Sequence, residues 1–156
     1  MTLEKSLGRL VKAGKLKLLQ AGLDHVESLL NGARRNFEAA RSVRDQVPEA
    51  AFKLFYDGLL QISRAVVLLA GYRPSDGEQH KTTFLAAREI LGPEFGELIR
   101  RMQKFRIKRN DCVYEPKDLV GASDAEAIER TARAFWNKVR AKLKEQNPQI
   151  ALFNQF

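Results

Sequence analysis

Apolar residues recur three and four positions apart along almost the whole chain, the spacing that lines one face of an α-helix. No segment shows a convincing apolar and polar alternation bounded by turn residues, as a half-buried strand would. The pattern predicts an all-α protein: an up-and-down bundle of five or six helices joined by short loops. Residues 2–20 read as a weakly amphipathic basic stretch, one helix or two short pieces, broken by Gly8 and Gly14. A clearer start follows at Asp24, a capping carboxylate with Glu27 three residues on. Val26, Leu30, Ala33, Phe37 and Ala40 then share a face that ends before Pro48. The next helix, from Pro48 to Gly71, is the most hydrophobic and is expected at the centre.

The turn-rich GYRPSDGEQ connects it to a shorter helix over 79–91, closed by Gly92-Pro93. Another helix begins near Pro93. Beyond Pro116, Ser123 with Glu126 reads as a capping box, and Ile128, Ala132, Phe135, Val139 and Leu143 trace the last core stripe before Pro148.

At 156 residues and 44% hydrophobic, the chain is the size of one domain with one core, taken as residues 1–156. Residues 1–21 form an N-terminal helical extension, and 147–156 an apolar tail that folds back or meets a partner. The apolar runs are too short to span a bilayer and no signal-peptide order precedes them, so no membrane association is expected and the localisation is read as cytoplasmic. The single cysteine, Cys112, excludes an internal disulfide and reads as a packing residue. The two histidines lie far apart, so no metal-ligand spacing exists, and neither metal nor cofactor is expected. A net charge of +8 favours an anionic partner: RNA, DNA or nucleotide phosphate.

The helix after Pro93 carries the informative stretch, RIKRNDCVYEP at 106–116. On a helical wheel, Phe95, Leu98, Ile99, Met102 and Phe105 share one sector, and the same register places Arg106, Arg109 and Val113 inside it, with Asn110 on its edge. A stripe that begins as core ends as guanidinium groups, whose burial costs several kcal/mol unless something compensates. A carboxylate elsewhere in the bundle, a polar subunit interface or a bound phosphate would do so. The plainer alternative has both arginines snorkelling past the bundle end to cap the helix C-terminus.

The order Arg109, Asn110, three residues, Tyr114 and then Glu-Pro resembles the signature of the HEPN family (higher eukaryotes and prokaryotes nucleotide-binding domains). FYDGLLQISRAVVLLAGYRP, the histidine of EQHKTTFLAAREIL and the arginine that precedes Arg109 by three also sit in family-like positions, and the resemblance spans about residues 22–142. It implies a homodimer that binds RNA or nucleotides in a toxin–antitoxin or related defence module, often beside a nucleotidyltransferase antitoxin. It also implies metal-independent RNA cleavage by an Arg-x(4–6)-His motif, with Arg109, Asn110 and Tyr114 as the catalytic positions. Tyr114 stands where the family has histidine. Tyrosine, with an unperturbed pKa near 10, is a poor general base at neutral pH, so ribonuclease activity is expected to be weak or absent. Phosphate contacts are expected from Arg106, Arg109, Lys104 and Lys108.

Asp57 and His80 are possible supporting groups. Asp57 and Gln61, one turn apart, can orient Arg109 or lie on an outer face; His80 can approach the motif or serve only its own helix. Trp136 reads as packing or interface. The alternative for the whole chain is a non-catalytic helical interaction subunit, antitoxin-like or accessory to a nucleotidyltransferase.

Overall fold

The computed structural model describes residues 2–114 and 120–156, without the side chains of residues 113 and 114. The described residues form an all-α bundle of six helices: α1 (Leu3–Lys12), α2 (Leu23–Val43), α3 (Pro48–Leu69), α4 (Gln79–Leu91), α5 (Gly96–Tyr114) and α6 (Ala122–Gln146). A 3-10 turn, Pro93–Phe95, leads into α5.

Helix α3 is the central element because it is apolar on nearly all sides. Phe52, Phe55, Tyr56, Leu59 and Ile62 are at most 1% exposed. It packs most extensively on α2, and also contacts α4, α5 and α6. The α2–α3 contact is close enough to require Gly58 inside a helix, where glycine costs about 1 kcal/mol relative to alanine. A Cβ there would lie 2.3 Å from Cε1 of Phe37.

Two strands depart from the sequence expectation. Leu16–Leu18 (β1) and Tyr72–Pro74 (β2) pair antiparallel, with Leu16 opposite Pro74, Lys17 opposite Arg73 and Leu18 opposite Tyr72. Residues 2–20 are therefore one helix followed by a strand, and part of the GYRPSDGEQ connection is ordered as the other strand. Gly71, at φ 92°, provides the backbone reversal between α3 and β2.

Two caps also differ from expectation. Helix α2 is capped by Gly22, not Asp24, which lies in the first turn and favours the helix through its dipole. At α6 the N-cap is Gly121, whose amide donates to Asp124 at 2.9 Å; Ser123 and Glu126 already lie within the helix.

The tail folds back. Phe153 stacks on the buried Trp136, with ring centres 4.0 Å apart, and Phe156 stacks on Phe37 at 4.3 Å. Trp136 Nε1 donates to the Asn154 carbonyl and Arg140 Nε to that of Phe153, which fixes the segment along α6. Glu129, only 8% exposed, accepts from both Arg44 and Arg133 and ties α6 to the end of α2.

Candidate phosphate-binding site

Helix α5 meets α3 and α4 along the face where its core stripe turns basic. Met102 is fully buried there, and Arg106 and Arg109, one and two turns on, are half-buried. The Arg109 guanidinium lies over the ring of Tyr56, 5.1 Å from its centroid, and Nη2 stands 3.9 Å from Oδ1 of Asp57. Its Nε is buried and has no hydrogen-bond partner among the described residues. Arg106 donates from Nε to Gln103, which in turn donates to the Lys81 carbonyl and so ties α5 to the first turn of α4.

His80 joins this cluster through Tyr56, whose hydroxyl lies 3.0 Å from its Nδ1. The tyrosine is fully buried, and burial pushes its hydroxyl up to about 12, against the smaller pull of Arg109 and Arg106. Burial also lowers the His80 pKa from its usual 6.5, and Arg64, Arg109 and Arg106 add to the shift. The imidazole is accordingly neutral at pH 7. Burial raises the Asp57 pKa above its ordinary 3.8, in opposition to Arg109 and Arg64. Arg64, Arg106 and Arg109 thus all act on the His80 imidazole, and Asp57 is the acidic group that approaches Arg109 among the described residues.

The other candidate residues are distributed as follows. Asn110 is exposed. Lys108 lies on the opposite flank of α5, 2.7 Å from Asp124. Burial raises the Asp124 carboxyl, but hydrogen bonds from Lys108 and the Gly121 amide outweigh it and leave the group below its usual range. Lys104 is exposed and opens onto a groove between α5 and α6 with Arg101 and Arg130. The four cations expected to share one phosphate path therefore occupy two faces of α5. Gln61 is bonded to Asn36 of α2 at 2.7 Å, so of the pair weighed as partners for Arg109 only Asp57 approaches it. Tyr114 and Val113 belong to the helix, but their side chains lie outside the described residues.

Tyr56 and Arg64 belong to the cluster although the sequence did not single them out. Tyr56 lies among the buried apolar residues of α3, and nothing local in the sequence shows where its hydroxyl points. Arg64 did leave a trace: it stands seven residues after Asp57, two helical turns, on an otherwise apolar helix. Among the described residues, no group of three or more His, Cys, Asp or Glu side chains is placed to hold a metal ion. No helix among them is long and apolar enough to cross a membrane.

No protein-family model, curated protein or solved structure matches this chain.

Proposed function

We propose that this chain is an HEPN-type RNA- or nucleotide-binding protein that holds backbone phosphate at the Arg109 cluster, with ribonuclease activity weak or absent. One observation carries the reading: a half-buried arginine whose buried Nε donor is unused, and whose nearest carboxylate stands at 3.9 Å, among the described residues. Leaving such a donor unsatisfied costs about 1–3 kcal/mol, and a phosphate oxygen accepts from guanidinium in a two-pronged geometry. Arg106 and Arg64 add positive potential to the same cluster, and the net charge of +8 favours a polyanion. The Arg-Asn-x3-Tyr order and its family resemblance support the further reading of a homodimer in a toxin–antitoxin or defence module, beside a nucleotidyltransferase.

The test is fluorescence anisotropy of a labelled single-stranded RNA against added salt. Affinity should fall with a log–log slope of about −0.7 per phosphate neutralised, and Arg109→Ala should weaken binding about tenfold. Binding that ignores salt, or an Arg109→Ala variant equal to the parent, removes nucleic acid as the partner. The interaction-subunit reading would then stand in its place.

A further inference from the structure

A second cavity is lined in part by Arg64 and by none of Arg109, Tyr56 and His80. It has a volume of about 310 Å³, at the lower end of the range of about 300–1,000 Å³ typical of small-molecule sites. Leu29, Leu68 and Tyr72 give it an apolar wall, while Arg64, Arg73 and the exposed His25 supply its polar groups. No carboxylate lines it among the described residues. Among the described residues neither arginine is in a salt bridge, and Asp57 feels Arg64 only from beyond ion-pair distance.

The β1–β2 ladder adds to the imbalance. Lys17 stands directly opposite Arg73, and like charges in that relationship repel across a strand pair. Gln79, the first residue of α4, also lines the cavity, so the positive end of that helix dipole lies beside it. Among the described residues, cations are concentrated here without an anion, around a wall that prefers a ring or hydrocarbon to water.

We propose that this cavity binds a small organic anion, an apolar or aromatic body bearing a phosphate or carboxylate head, with Arg64 and Arg73 holding the head and Leu68 and Tyr72 covering the body. The site goes beyond the RNA reading: Arg109, which carries that reading, does not line this cavity, and Arg64 is the residue the two share.

An amide-resolved NMR titration of the full chain tests it, with phenyl phosphate, benzoate, inorganic phosphate and benzyl alcohol as probes. Phenyl phosphate or benzoate should saturate with a Kd of about 1 mM or tighter, the range of a small fragment, and the tighter of the two identifies the head group. The shifts should centre on Leu19, Tyr72, Arg73 and Gln79. Inorganic phosphate and benzyl alcohol should each bind about tenfold more weakly, since each offers half of the chemistry. Arg73→Gln, at an exposed position whose loss leaves the core intact and relieves the repulsion from Lys17, should weaken the better probe about tenfold with a melting temperature that does not fall. Shifts that never saturate, shifts confined to α5, inorganic phosphate binding as well as phenyl phosphate, or an Arg73→Gln variant that binds like the parent would each overturn the proposal. RNA binding by anisotropy is scored separately, so either site can fail without the other.

Discussion

Arg109 on α5 lies over the ring of Tyr56 on α3, 5.1 Å from its centroid. The ring meets the guanidinium while the hydroxyl turns away to His80, so one side chain joins the basic end of α5 to the start of α4. Tyr56→Phe separates the two contacts. It keeps the cation–π face and removes the hydrogen bond, which should lower stability by about 1 kcal/mol in urea unfolding. RNA affinity should stay within about twofold of the parent; a tenfold loss would mean that the hydroxyl itself meets phosphate.

The two faces of α5 make an ordered prediction for RNA binding. Lys108 is engaged by Asp124 at 2.7 Å, so Lys108→Ala should change affinity less than Arg109→Ala or Arg106→Ala. Lys104→Ala should fall between them if a strand crosses both faces. Anisotropy on the four variants at one salt concentration gives the order, and a Lys108 effect equal to that of Arg109 contradicts it.

The depressed His80 pKa gives acid sensitivity of a definite sign. With the folded value below 6.5, the unfolded chain takes up this proton first as pH falls. The His80 contribution is complete above about 6.5, is lost as pH drops through the folded value, and levels off below it. Melting temperature should therefore fall less on acidification in His80→Gln than in the parent over that interval. Asp57 acts in the opposite sense, because burial raises it above 3.8: ionising it on the way up costs stability.

Gly58→Ala tests the α2–α3 contact. Helix propensity alone favours alanine by about 1 kcal/mol, but the new methyl would collide with Phe37 in the core, and overpacking typically costs about 1–3 kcal/mol. The variant should be destabilised in urea, and a gain in stability would mean that the Phe37 ring moves aside freely.

The helices were legible where the chain carries punctuation. Pro48, Gly71 and Gly92-Pro93 bound α3 and α4 at the positions the periodicity requires. The β1–β2 ladder was not legible, because alternation needs about 4–8 residues to register and each strand has only three. The shifted α6 cap has a comparable cause: Asp124 is itself a capping side chain, and the serine before it drew the reading two residues inward. At the site, the wheel brought Arg106 and Arg109 toward the core, but it has no means of saying which helix receives them. The Asp57 contact was visible only as one option, and the Tyr56–His80 bond, between residues 24 apart, had no local signal.

The ladder also bears on the order of folding. Because Leu16 pairs with Pro74, β1 and β2 close a loop that contains the whole of α2 and α3. The two helices are joined by a short turn and form their contacts between near neighbours in sequence, which is fast. Closing the strands first would require the ends of a long open chain to meet, at an entropy cost that the preformed helical pair has largely removed. The ladder is thus a late clasp, and the cations it sets beside the Arg64 cavity come together only after the core exists.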